Sequence, residues 1–185
     1  MLALNMTTKE IIYHPLANRN LREDLKNVSN DIIKNRNNRR NFAVACFPTK
    51  YGGNTAACLR TFSIFNGVEF LTVGYRKFIP MAAVGAQYYE HVIHLGNEFA
   101  LLEHIRVRGY TPICIDKTDS STSICDGDWP EKPLFIFGKE ADGIPPLILH
   151  AVKDHRHIPM YGPLRSLNVV VACGITLHQY SLSWS

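Results

Sequence analysis

What most constrains this chain is a set of short stretches that are apolar without a break. A strand with one face in water alternates apolar and polar residues, whereas an uninterrupted run needs both faces covered. Residues 42–47 (FAVACF) and 134–137 (LFIF) are such runs. Residues 68–73 (VEFLTV) and 111–115 (TPICI) come close, and 92–95 is a weaker strand. Helical patterns stand between them, over 54–65, over 98–108 up to Gly109, over 144–150 and over 167–182. A turn is expected at Asn66-Gly67, a polar loop over 116–132 and a last strand over 157–160. Strands alternating with helices, all needing cover on both faces, predict an α/β domain with a mainly parallel sheet flanked by helices.

The chain has 185 residues, enough for one domain with a sizeable core. With 46% hydrophobic and 19% charged residues it is not a disordered chain. No run reaches the ~18 apolar residues of a membrane span. The start, MLALNMTTKE, turns polar too soon for a signal peptide. The expectation is a cytoplasmic protein with no membrane partner.

The net charge of +4 is unevenly spread. Residues 1–41 carry eight Lys/Arg against four acids, while the remainder carries twelve of each. The expected division is therefore a basic N-terminal helical extension, 1–41, and a domain over 42–185. Leu21, Leu25, Val28 and Ile32 fall at helical spacing, which predicts an amphipathic helix over 20–35. Its basic face suits a phosphate backbone or simply water, and its apolar stripe suits the core or a dimer seam.

Five cysteines, Cys46, Cys58, Cys114, Cys125 and Cys173, are odd in number and form no CxxC pair. They read as buried small hydrophobes rather than a disulfide framework. His155 and His157 share a strand face, but no third ligand is near, so no metal is expected.

Ligands of parallel sheets bind at the carboxyl ends of strands. Three loops there are unusual. Tyr51-Gly52-Gly53-Asn54 leads into a helix carrying Arg60; Asn54 suits a cap, and Arg60 is either functional or a surface cation. Gly138-Lys139-Glu140-Ala141-Asp142-Gly143 follows a buried strand, and fits neither the dinucleotide fingerprint nor a P-loop. Finally, residues 158–168 run through Pro and Gly to Ser166, whose hydroxyl suits an N-cap, with Asn168 in the first turn.

These three segments, NTAACLRTFSIFNGV, LFIFGKEADGI and IPMYGPLRSLNVVVACGI, resemble the motifs of the SpoU-type branch of the SPOUT RNA methyltransferases. The resemblance covers roughly residues 42–182. It implies an α/β fold whose C-terminal segment forms a deep trefoil knot. It implies S-adenosylmethionine as methyl donor, a homodimer whose sites borrow residues from the partner, and methyl transfer to a ribose 2′-hydroxyl of tRNA or rRNA.

Position by position, Asn54 and Arg60 match the family's catalytic Asn and Arg. Glu140 matches the acid of the second motif, and Ser166 and Asn168 match the Ser and Asn of the third. The resemblance places the adenine pocket near Ile115, Gly138, Ile158, Met160 and Leu167. It makes Arg60 the base, but a guanidinium stays charged above pH ~12, which suits a grip on phosphate and on developing alkoxide charge. Ala56, Lys139 and Ala141 depart from the usual motif residues. An RNA 2′-O-methyltransferase acting on tRNA is the leading expectation. The competing ones are an rRNA target, a non-catalytic RNA-binding module, and a generic nucleotide-binding α/β protein.

Overall fold

The computed structural model describes residues 38–49, 51–74, 79–139 and 142–184. The helix expected over 20–35 and the motif residue Glu140 lie outside the described residues. Seven strands make up one sheet: β1 (Arg40–Cys46), β2 (Gly67–Val73), β3 (Val92–Leu95), β4 (Thr111–Ile115), β5 (Thr122–Ser123), β6 (Pro133–Phe137) and β7 (Asp154–His157). Their order is β3-β2-β1-β6-β4-β7-β5, and every neighbouring pair is parallel. The helical segments are α1 (Gly52–Ile64), the single turn α2 (Pro80–Ala83), α3 (Glu98–Arg108), α4 (Pro146–Ala151) and α5 (Val169–Ser181).

The unbroken apolar runs now have a reason. In β1, Phe42, Val44 and Cys46 enter one core, while Ala43, Ala45 and then Phe47 enter the other. β6 does the same, with Phe135 and Phe137 on one side and Leu134 and Ile136 on the other. α1 and α5 cover the first face through Leu59, Phe62, Cys173 and Leu177. α3 and α4 cover the second through Leu101, Ile105 and Ile148. Each phenylalanine so enclosed contributes about 2 kcal/mol.

Three elements match their expected bounds: Val92–Leu95, Glu98–Arg108 and Thr111–Ile115. α3 stops where expected, because Gly109 takes a left-handed conformation (φ 66) and returns its N–H to Ile105. Other elements differ. The last strand is Asp154–His157 and not 157–160, because Pro159 has no N–H to give to a ladder. β5 is a two-residue strand inside the expected loop 116–132, paired with Arg156 and His157. α4 starts at Pro146, later than expected, with the proline in the first turn, where its missing N–H costs nothing. β1 starts at Arg40, two residues inside the expected basic extension. Arg39 donates to Gly67 O (2.5 Å) and pairs with Glu90 (2.6 Å), and Arg40 lies over the Trp184 ring (4.7 Å). Part of the basic excess therefore clamps the domain.

The cysteines divide as well. Cys46, Cys58, Cys114 and Cys173 are buried, but Cys125 is exposed, contrary to expectation, in the turn after β5. Hydrogen bonding with Cys58, together with burial, pushes the thiols of Cys46 and Cys173 well up. They stay protonated and pack as hydrophobes.

Candidate active site

The loops after β4, β6 and β7, three adjacent strands, meet the residues before α5 around a cleft of about 260 Å³. Ile115, Gly138, Ile158, Met160 and Leu167 all line it, and so does Ser166. The wall mixes apolar residues such as Phe137 and Val169 with the polar Asp116, Lys117, Lys139, His157 and Arg165.

The wall is built tightly at Gly138. A Cβ there would lie 2.2 Å from the carbonyl carbon of Gly143 and 2.4 Å from the nitrogen of Ile144, so only glycine fits. The loop folds back on itself: Lys139 and Gly143 exchange reciprocal backbone hydrogen bonds of 2.9 Å. Gly143 turns the chain with φ 66, which glycine tolerates. Asp116 holds the loop from outside. Its Oδ2 accepts from the Ile144 N–H (3.2 Å), and its Oδ1 accepts from the Lys117 N–H (2.8 Å). One carboxylate thus ties the loop after β4 to the loop after β6.

At the α5 entrance the capping differs from expectation. Asn168, not Ser166, is the N-cap, its Oδ1 accepting from the Val170 N–H at 2.8 Å. Ser166 stays in the exposed segment 161–168 and lines the cleft. At the start of α1 the cap is Tyr51, without a side-chain bond, so Asn54 already sits inside the first turn. Its N–H bonds to Tyr51 O at 2.9 Å.

A scan of family models matches residues 41–178 to the SpoU rRNA Methylase family. The chain belongs to that family. Among curated proteins, this SpoU domain is 29% identical over 141 residues to a tRNA (guanosine(18)-2′-O)-methyltransferase of Mus musculus, covering 72% of the chain and 9% of that protein. It is 27% identical over 95 residues to the enzyme of the same name from Aquifex aeolicus, covering 51% of the chain and 45% of that protein. The chain thus spans less than half the length of these relatives. Among solved structures, the A. aeolicus TrmH/SpoU tRNA modifying enzyme superposes with a TM-score of 0.74 at 22% identity, covering 84% of this chain and 83% of that one. An AdoMet-bound rRNA methyltransferase from Sinorhizobium meliloti gives 0.72 at 19% identity, covering 82% and 60%. At these identities the likeness speaks to the fold.

The SpoU motifs do not all converge. Gly138 of the second segment and Ile158, Met160, Ser166 and Leu167 of the third meet in the cleft, whereas Asn168 caps α5 and does not line it. Asn54 and Arg60 do not line it; they ride on α1, Asn54 half-buried and Arg60 exposed. α1 packs along α5, where Gly174 faces the Thr61 methyl, so the first segment flanks the third without entering the cleft. Sequence reasoning missed Asp116, Lys117, His157 and Arg165, all of which line the cleft. Asp116 and Lys117 stand in a loop that the strand pattern singles out, and an acid at that point is the available signal. His155 and His157 make hydrogen-bond contacts: His155 Nε2 faces Leu149 O and Val152 O, and His157 Nδ1 faces Ser121 Oγ at 3.0 Å. No group of three metal-ligating side chains occurs among the described residues.

Proposed function

We propose that this chain is an S-adenosylmethionine-dependent RNA methyltransferase that methylates a ribose 2′-hydroxyl, with tRNA as substrate. The observation that carries the reading is the cleft itself. Five residues nominated for a purine pocket, from three separate loops, line one cavity beside Ser166. The tRNA assignment rests on the names of the related proteins.

The residues fit the donor. Ile115, Ile158, Met160 and Leu167 offer apolar walls to a flat base, and Gly138 lets backbone approach it. When bound, S-adenosylmethionine supplies an activated methyl group. The chain's own residues then have three tasks. Ser166 and Asn168 position the ribose at the cleft. Glu140 orients Arg60 or its own loop. Arg60, always charged, grips a neighbouring phosphate and stabilises negative charge on the hydroxyl oxygen as its proton leaves.

Arg60 must reach the cleft from outside it, so the reading includes a homodimer in which a second copy brings Arg60 and Asn54 to each site. An apolar stripe supports this. Val171 (49% exposed), Ile175 (38%) and Leu182 (65%) recur along one side of α5, a surface that water leaves uncovered at a cost. The reading also includes a C-terminal trefoil knot around the cleft, consistent with β6 inserting between β1 and β4. A crystal structure traced through residues 133–184 tests it. The reading also takes the protein to act in the cytoplasm and the basic residues ahead of Arg39 to extend the RNA footprint.

The test is to incubate the purified chain with methyl-labelled S-adenosylmethionine and separate tRNA and rRNA pools, then identify the labelled nucleoside. A 2′-O-methylated nucleoside from tRNA supports the reading. Label in rRNA alone moves the substrate to the second class, which the family description names. Cofactor binding without transfer to either pool overturns the enzyme reading.

A further inference from the structure

Most arginines of the domain already face a carboxylate. Arg39 pairs with Glu90, Arg106 with Glu103, Arg108 with Glu69 and Arg156 with Asp154. Lys117 and Arg165 pair with none of the described residues, although they come from two different loops and meet at one place. Both line the cleft, and both also line a second cavity of about 370 Å³ outside it. Met160 forms part of both walls. Lys139, the other cation on the cleft, faces Asp142 at 3.9 Å. Asp116 is occupied with the Ile144 and Lys117 backbone N–H groups. The outer cavity contains one carboxylate, Asp119. Two cations against one acid leave a single positive charge, which matches the single negative charge of a phosphodiester.

We infer that Lys117 and Arg165 form a phosphate subsite at the mouth of the cleft, holding the RNA strand beside its target ribose. This rests on the methyltransferase reading above. A nucleotide whose 2′-hydroxyl points into the cleft carries a flanking phosphate within one residue of it, and the outer cavity adjoins the cleft through Lys117, Met160 and Arg165. A guanidinium fork presents paired donors to phosphate oxygens, and an ammonium adds a point charge. Burial does not oppose the binding, since Lys117 and Arg165 are both solvent-exposed before RNA arrives.

The experiment compares the full chain with a Lys117→Gln/Arg165→Gln double variant. Affinity for unfractionated tRNA is measured across salt concentrations, and S-adenosylmethionine affinity by calorimetry. The expected result is a loss of RNA affinity of roughly tenfold at low salt and a salt slope shallower by about 0.7–0.9, the share of one phosphate. Cofactor affinity stays within about twofold, and KM for RNA rises more than kcat falls. Lys153→Gln, which removes a cation just before β7 at the strand's other end, leaves RNA affinity in place. An equal loss in that variant overturns the subsite, because net charge alone would then explain it. Unchanged RNA affinity and slope in the double variant also overturn it, even while the wild type methylates RNA. A fall in cofactor affinity with RNA affinity intact reassigns the pair to the donor's carboxylate and overturns the proposal. Wild-type protein that binds RNA but transfers no methyl defeats the enzyme reading while leaving the subsite measurable. Wild-type protein that binds no RNA defeats both.

Discussion

The two ends of the sheet handle charge in opposite ways. At the amino end, near the starts of β2 and β4, Glu69 is buried and surrounded by His104 Nε2 (2.9 Å), Tyr110 Oη (3.0 Å) and the Arg108 guanidinium. Burial alone would raise its carboxyl, but these hydrogen bonds outweigh it and hold the pKa down at about 2. Nearby, the Lys132 ammonium sits over the Tyr110 ring at 4.6 Å. At the carboxyl end, beyond β4, β6 and β7, Lys117 and Arg165 are unpaired among the described residues, residues 161–168 are exposed, and Gly138 leaves no room for a side chain. The difference separates labour. Glu69 at one end is satisfied within the fold, whereas Lys117 and Arg165 at the other face solvent.

Substitutions that break one end and spare the other test this contrast. The largest effect is expected from Arg60→Ala: methyl transfer falls by roughly 10²–10³-fold, the scale of a lost oxyanion donor, while Tm and cofactor affinity hold. A single-turnover assay reads it, and full methylation by a folded variant would remove Arg60 from the mechanism.

Next comes Glu69→Ala at the amino end, which is expected to cost about 2 kcal/mol in urea unfolding. The cost falls below the ~3–5 kcal/mol of a fully buried pair because Arg108, at 47% exposure, can turn to water. RNA affinity and salt slope stay unchanged. The same site sets an acid limit. The folded carboxyl titrates at about 2 against an ordinary 4.5. The unfolded chain therefore binds more protons in that window. The stabilisation is complete above the ordinary value and fades as pH falls toward about 2. Thermal melts from pH 5 to 2 should show a weaker pH slope in Glu69→Gln than in the wild type.

Gly138→Ala is expected to weaken S-adenosylmethionine binding by about tenfold or more, since a contact of 2.2 Å forces the 138–144 loop to move. Calorimetry checks it, and wild-type affinity would show the loop to be softer than its hydrogen bonds suggest. Asn168→Ala, which removes the α5 cap, is expected to cost about 1 kcal/mol of stability in urea unfolding. Ser166→Ala should cost almost nothing in stability, because it caps nothing.

Much of this contrast is legible in the residues alone. Continuous apolar runs reveal the strands of a sheet covered on both faces, and Gly109 marks the end of α3 to the residue. Local chemistry governs such features, so a short window suffices. The loop motifs likewise carry the family and nominate the five residues that share a cleft. Capping is less legible. Ser166 and Asn54 have the right side chains, but which residue caps depends on where the chain enters the helix, and that follows from packing.

What the sequence determined by itself is therefore the class of fold, the buried strands, the family and the loops that hold the chemistry. Only the tertiary structure decided which loops meet. The order β3-β2-β1-β6-β4-β7-β5 puts the ends of β4, β6 and β7 side by side. It brings Asp116 to Ile144 across 28 residues and Glu69 to Arg108 across 39. It also holds Asn54 and Arg60 outside the cleft that their motif partners line. The physical reason is that strand order minimises exposed apolar surface over the whole chain at once. No local periodicity records which strand will insert between two others.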